Sequence, residues 1–491
     1  MFAEYDSYDA TGLAELVASG QVTAAELLES ALARAEATRE TLNAICAPMH
    51  GVARERTKEP LSGPFAGVPF LIKDIAQDYA GVATMAGSRA FATRVPEVHA
   101  EIVARFLRAG LVIFGKTSTP ELALKAVTEP ELHGPTRNPW SPDRTPGGSS
   151  GGAASAVAAG VVPMAGASDG GGSIRIPASF CGLFGLRPSR GRVPCGPAHG
   201  EFWEGASSEH VLTRSVRDSA RMLDAISGPD VGAPFDIAPP ERPFAAEVGR
   251  PTGKLRIGFC TRSPLGTHVD RECVVAVDNA VTLLRELGHE VVPAEPEIDG
   301  EALAASFMTL YFGQVAASVA HARQLTGAHE DAFELDTRAL ALLGRSLAAG
   351  EYVTARRRWN DYARALGRFF TQHDLYLTPT VAMPPARIGE LALPSAQRAA
   401  LKVVLAAGLG KALLATGIVG QLARENLMRT PFTQLSNLTG TPSMSVPLHM
   451  SPEGLPVGVH FSARFGQEGA LIRLAAALEQ AAPWQARRPR S

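Results

Sequence analysis

A chain of 491 residues, 45% hydrophobic and 20% charged, can bury a large core, and its length alone would fit about two to four domains. With 47 Lys plus Arg against 49 Asp plus Glu the net charge is -2, too little to hold a polyanion or an anionic membrane through a general field, so no nucleic-acid partner is expected. Five cysteines (Cys46, Cys181, Cys195, Cys260, Cys273), odd in number and without CxxC spacing, argue against a disulfide framework or a zinc motif and point to a reducing, cytoplasmic compartment.

The opening MFAEYDSYDA is acidic and lacks the apolar run of a secretory signal. From Thr23 to Ala37 apolar residues recur at helical spacing behind a Thr cap, with Glu26 three residues on, which is a capping box. Residues 64–75 (PFAGVPFLIKDI) read as a buried strand, 97–109 as a helix and 111–115 as a second strand, the pattern of a parallel crossover. A short helix is expected to open at Thr119-Pro120-Glu121. Small, Ala-rich residues 151–160 suit a helix packed close on a sheet, and VVPMAGAS from 161 reads as the next strand. Residues 228–253, rich in Pro and Gly, form a surface connection; 254–259 and 290–293 resume as strands, and 300–425 reads as mainly helical. Within it, Leu401–Ala423 is the most apolar stretch, but Lys402, Lys411 and Gln421 interrupt it, so a buried or pocket-lining helix is expected there and no membrane span. LPVGVHFSA and EGALIRLAAALEQAA close the chain as a strand and a helix.

Two Gly-Ser clusters carry the chemistry: Pro146-Gly-Gly-Ser149-Ser150-Gly-Gly152 and Ser168-Asp169-Gly-Gly-Gly-Ser173-Ile-Arg175. A glycine run before a serine can aim successive N–H groups into one concavity, as an oxyanion requires. The twelve histidines offer no motif tying one to either cluster. Lys73, at the end of the apolar run Phe70-Leu71-Ile72, is the other candidate base, because burial penalises its charged form. Moving its pKa from about 10.4 to near 7 costs roughly 4 to 5 kcal/mol. Asp74, next in sequence, points to the opposite face of a strand and need not pair with it.

GVPFLIKD, GKTSTPEL, NPWSPDRTPGGSSGGAASAVAAG and SDGGGSIRIPASFCGLFGLRPSRGRVP closely resemble the amidase signature family. The resemblance is dense over residues 61–225 and returns in TPFTQLSNLTGTPSMSVPL and GLPVGVHF. It implies an α/β fold with helices on both sides of one large mixed sheet. The chain then divides into an N-terminal helical segment (1–60), the signature core (61–225), a variable helical wall of the substrate cleft (255–425) and a return to the core (426–491), all within one amidase domain. It further implies a Ser-Ser-Lys triad: Ser173 as nucleophile, Ser149 as the bridge on a cis Gly148-Ser149 peptide, and Lys73 as base. The amides of Gly170, Gly171, Gly172 and Ser173 are implied around the oxyanion. Such an enzyme forms an acyl-enzyme and needs no metal or organic cofactor. Gly170 departs from the bulkier Ile or Thr of many relatives, which should loosen the loop or widen the pocket floor.

Rival motifs fail on context. Gly110–Thr117 satisfies the literal phosphate-loop pattern, yet its middle residues form an apolar strand. Gly147–Gly151 fits a nucleophile elbow, with His199, His210 or His460 as base, but a proline-interrupted loop precedes it where a strand is needed. Cys181 reads as a small buried residue, and Asp169 and Arg175 as braces of the nucleophile loop. Phe202 and Trp203, with Phe307, Tyr311 and Phe312 at near-helical spacing, are candidates for an apolar cleft wall. The expected substrate is therefore a small aliphatic, aryl or cyclic amide, or an ester or carbamate passing through the same oxyanion. HGEFWEGASSEH at 199–210 looks closer to general and cyclic-amide hydrolases of the family than to its alternative, the glutamine amidotransferase A-type subunit that supplies ammonia for tRNA-dependent transamidation. Many such hydrolases are homodimers, which makes a second copy of this chain an implied partner.

Overall fold

The computed structural model describes residues 1–489. Eleven strands form one mixed sheet: β1 (Ile45–Pro48), β2 (Pro69–Lys73), β3 (Val112–Thr117), β4 (Met164–Asp169), β5 (Phe184–Arg187), β6 (Ser208–Thr213), β7 (Arg256–Phe259), β8 (Glu290–Pro293), β9 (Leu375–Pro379), β10 (Ser443–Met450) and β11 (Pro456–Ala463). Their order is β1-β3-β2-β4-β6-β5-β10-β11-β9-β7-β8. β2 runs parallel to both β3 and β4, and β7 parallel to β8 and β9, while antiparallel pairs join these two groups through β6, β5, β10 and β11. Every residue of β2, β3 and β4 is buried, because helices cover both faces; their sequences are accordingly continuous runs without alternation.

Helix Ala24–Leu42 opens with the expected capping box: Thr23 N–H donates to Glu26 Oε2 (2.9 Å) and Glu26 N–H to Thr23 Oγ1 (3.2 Å). All eight residues of helix Gly151–Ala158 are buried, the small side chains letting it lie close on the sheet. Away from the sheet, helices Gly300–Thr326, Leu335–Ser346 and Ala349–Phe369 build a second apolar cluster around Leu303, Phe307, Leu310, Phe312, Trp359 and Tyr362. Gly300–Thr326 is also long and apolar enough to cross a membrane, and half of its most apolar window is buried within this packing.

Two expectations are corrected. No α-helix starts at Thr119-Pro120-Glu121, where the chain makes only a 3-10 turn over Glu121–Ala123. Leu122 N–H is drawn to Ala86 O (2.8 Å) and the Glu121 carboxylate accepts Glu334 N–H (2.8 Å), so the backbone is held by distant partners instead of its own next turn. Leu401–Ala423 is neither one helix nor buried: it divides among Ser395–Ala407, Gly410–Ala415 and Ile418–Leu427, with Gly408 and Gly417 in the left-handed conformation at the breaks. No residue of Ser395–Ala407 is buried, whereas Leu413, Leu414, Val419 and Leu422 rest half-buried on the second cluster. Helices dominate the region read as mainly helical, which also contributes β9, a strand inside the sheet between β11 and β7.

Candidate active site

Lys73 ends β2 with no solvent exposure. Its Nζ lies 2.7 Å from Ser149 Oγ and 2.9 Å from Ser168 Oγ. Removing an ammonium from water disfavours its charge, and burial pushes the Lys73 pKa down to about 8 against the upward pull of the Glu209 and Asp169 carboxylates. Gln77 Oε1 accepts the Lys73 N–H at 2.7 Å and so fixes the strand end.

Ser149 stands on a cis Gly148-Ser149 peptide in the first Gly-Ser cluster. The next residue joins that cluster to the second: Ser150 N–H donates to Ser173 O at 3.3 Å. Ser173 is half-buried, and its hydroxyl has no hydrogen-bond partner among the described residues.

Loop 170–173 is held by a buried ion pair. Asp169 accepts N–H groups from Gly172 (2.7 Å) and Ile174 (3.1 Å), and from Arg175 Nε (2.9 Å) and Nη2 (2.8 Å). Burial alone would raise the Asp169 carboxyl, but the Arg175 guanidinium, also without exposure, holds it far below the usual carboxylate range. The C-terminal segment completes the brace: Asn437 Nδ2 donates to Asp169 Oδ1 (2.9 Å), while Thr433 Oγ1 (2.6 Å) and Gln434 Nε2 (3.0 Å) donate to Gly171 O. Gly172 N–H, one of the four amides expected around an oxyanion, is taken by Asp169 Oδ1. Those of Gly170, Gly171 and Ser173 have no acceptor among the described residues.

The glycines of this loop differ in how far geometry demands them. A Cβ on Gly171 would stand 2.7 Å from Phe307 Cζ, and one on Gly172, at φ 130°, would stand 2.5 Å from Thr433 Oγ1. At Gly170 the nearest atoms, on Ser207 and Trp203, would be 3.7 Å away, an ordinary van der Waals distance, so a methyl fits there without displacing a neighbour. Trp203 packs against Tyr311 (ring centroids 5.4 Å) and Phe307 (6.4 Å) beside the loop. Trp203 and Glu204 both hold φ of 56°, a left-handed pair that the surrounding packing must maintain. Phe202 turns elsewhere, onto His199 (4.7 Å), and Phe312 is wholly buried in the helical cluster.

The histidines are engaged away from these groups. His460 lies between Arg175 Nη1 (3.1 Å) and Thr378 Oγ1 (3.2 Å); burial and then Arg175 drive its pKa well down. His210 meets Ser219 Oγ (2.9 Å), and burial takes its pKa down to about 3. Cys181 is buried with its thiol 3.5 Å from Pro146 O, and burial pushes that thiol up. Cys46, Asp74 and His133 bring potential metal ligands within 4.8 Å of one another, although no sequence spacing joins them. A cation is already present, however: burial raises the Asp74 carboxyl to about 6 and the Lys116 ammonium is the chief opposing influence.

The family model described as Amidase matches residues 26–472. A 6-aminohexanoate-cyclic-dimer hydrolase of Pseudomonas sp. (strain NK87) is 37% identical over 496 residues, covering 98% of this chain and 96% of that protein. The solved structure of 6-aminohexanoate cyclic dimer hydrolase complexed with substrate superposes with TM-score 0.91 at 34% identity, covering 100% of this chain and 99% of the other. A bacterial aryl acylamidase of the amidase signature enzymes superposes with TM-score 0.83 at 26% identity, covering 98% of this chain and 99% of the other.

Proposed function

Given that the chain belongs to the amidase signature family of amide hydrolases, we propose that it cleaves small apolar amides through an acyl-enzyme on Ser173, with Ser149 as proton bridge and Lys73 as base. The observation that carries this reading is the 2.7 Å approach of Lys73 Nζ to Ser149 Oγ at a point where lysine is wholly buried. A neutral amine there accepts the Ser149 proton while Ser149 Oγ takes the proton of Ser173 Oγ, so the nucleophile sheds its proton as its oxygen bonds the amide carbon. The carbonyl oxygen becomes an oxyanion, for which Gly170, Gly171 and Ser173 have free N–H groups; one such donor is worth about a hundredfold or more in rate. Collapse breaks the C–N bond, and the Lys73 proton returns through Ser149 to the leaving amine. Water then enters by the same relay: its proton passes to Lys73 as its oxygen bonds the acyl carbon, and as the second tetrahedral intermediate collapses that proton returns through Ser149 to Ser173 Oγ, breaking the ester bond and releasing the acid. No step calls on a metal or an organic cofactor.

The apolar wall of Trp203, Phe307 and Tyr311 supports an aliphatic, aryl or cyclic acyl or amine portion over glutamine. By analogy with the cyclic-dimer hydrolases, a cyclic diamide of an ω-amino acid is the first substrate to try. Five free cysteines accord with a cytoplasmic site of action, and the whole chain is read as one amidase unit, alone or as a homodimer. The test is a panel of cyclic and linear ω-amino-acid amides, anilides and glutamine, followed by mass spectrometry of the released acid. Hydrolysis of apolar amides by wild type and not by Ser173→Ala is expected; release of ammonia from glutamine alone would overturn the substrate assignment.

A further inference from the structure

Glu209, on β6, has a carboxyl group that the mechanism above leaves unused, and its residue is only 2% exposed. One oxygen, Oε2, accepts Gln77 Nε2 at 2.7 Å; the other, Oε1, is buried without a hydrogen-bond partner. Such a group is costly to keep charged, since a buried polar atom without a hydrogen-bond partner forfeits its hydration with nothing in return, and a charged one forfeits more.

Two routes tie this carboxyl to Lys73. Across the sheet, Glu209 stands directly opposite Ser168 of β4, so the two side chains share a face, and Ser168 Oγ is 2.9 Å from Lys73 Nζ. Along the chain, Gln77 spans both: its Oε1 accepts the Lys73 N–H at 2.7 Å while its Nε2 holds Glu209. Gln77 packs directly on Gly166, where even a Cβ would come within 2.3 Å of Oε1.

The other ionisable groups facing this pair have fixed charge states. Asp169, which also acts on Lys73 from β4, is locked in its ion pair with Arg175. Cys195, which faces Glu209 from the loop before β6, is kept protonated by burial, its thiol pushed up to about 12. Burial likewise pushes Glu209 up to about 7, opposed by the Gln77 hydrogen bond and the Lys73 charge.

We propose that Glu209 is a positioning residue for the reaction: held by Gln77 beside Ser168, its carboxylate stabilises the Lys73 ammonium and so sets the pH at which the base is released. The proposal rests on the reading of Lys73 as base. With Glu209 ionised, Lys73 retains its proton; with a neutral side chain in its place, the ammonium loses its counter-charge and deprotonates at lower pH.

The test is the rate of fluorophosphonate labelling at Ser173 as a function of pH, on the full chain. In Glu209→Gln the acid limb should move down by about one pH unit relative to wild type, while Glu209→Asp, which keeps the charge, should leave it near the wild-type position. Should Glu209→Gln fail to fold, Gln77→Leu serves instead: without the amide donor the neutral carboxyl is favoured and the limb should again move down. An unmoved or raised limb in the folded variant, alongside Lys73→Ala that labels poorly, overturns the role of Glu209 alone. Labelling of Lys73→Ala with the wild-type profile overturns the base assignment and this proposal with it.

Discussion

The carboxylate of Asp169 takes the Gly172 N–H at 2.7 Å, so one amide of the glycine run is spent on holding the loop in shape. The same carboxylate binds Arg175 where neither side chain has any exposure. Removing one partner of such a pair strands the other charge, which costs about 3–5 kcal/mol. Asp169→Asn is therefore expected to lose roughly that much stability in urea unfolding, together with most Ser173 labelling. A loss well under 1 kcal/mol would show that the brace is dispensable.

Adjacent glycines should respond in opposite ways. Gly170→Ala meets only ordinary contacts at 3.7 Å and should keep activity within a few-fold, whereas Gly171→Ala drives a methyl to 2.7 Å from Phe307 Cζ and should lose about a hundredfold. Adding Phe307→Leu to Gly171→Ala should restore part of the rate. Equal losses at the two positions in a labelling assay would contradict this account of the loop.

Activity should rise with pH as the proposed base loses its proton. Burial lowers the Lys73 pKa to about 8, and a lysine is competent only above its pKa, so labelling should climb through a limb centred near that value and then level off. A limb centred near 6.5, the ordinary histidine range, would reopen the case for a histidine base.

Trp203 and Phe202 are neighbours with separate surroundings. Trp203 flanks Gly170 and is half-buried in the free chain, and covering the rest of such a ring with substrate is worth about 1.5 kcal/mol. On an apolar amide, Trp203→Ala should raise KM by about tenfold or more, and Phe202→Ala, whose ring lies on His199, should change it little. Steady-state kinetics on both variants separates them.

Much of the sheet was legible in the sequence because its strands are short apolar runs bounded by Gly and Pro: β2, β7, β8 and β11 fall within segments read that way, and β3 and β4 run past theirs by two residues and by one. β9 was not, since its five residues follow a helix of 21 residues with no turn signal strong enough to mark the change. The 401–423 stretch misled because its apolar content suggested burial, while Gly408 and Gly417 break it into pieces that lie on the outside of the helical cluster. At the site, Lys73 and the two Gly-Ser clusters stood out as residue types in unusual settings. Thr433, Gln434 and Asn437 did not, because they reach the loop by hydrogen bonds across more than half of the chain, and nothing local distinguishes them. Glu209 was silent because only the register of β4 against β6 brings it to the Lys73 side of the sheet, and Gln77, although four residues from Lys73, shows its role only once Glu209 is in place beside it.

The most direct test of the proposed Ser173, Ser149 and Lys73 relay is intact mass with peptide mapping after exposure to a fluorophosphonate, on wild type, Ser173→Ala and Lys73→Ala. One adduct per chain on Ser173, absent from Ser173→Ala and much slowed in Lys73→Ala, is the expected result. An adduct on Ser150 or Cys181, or labelling of Lys73→Ala at the wild-type rate, would contradict it.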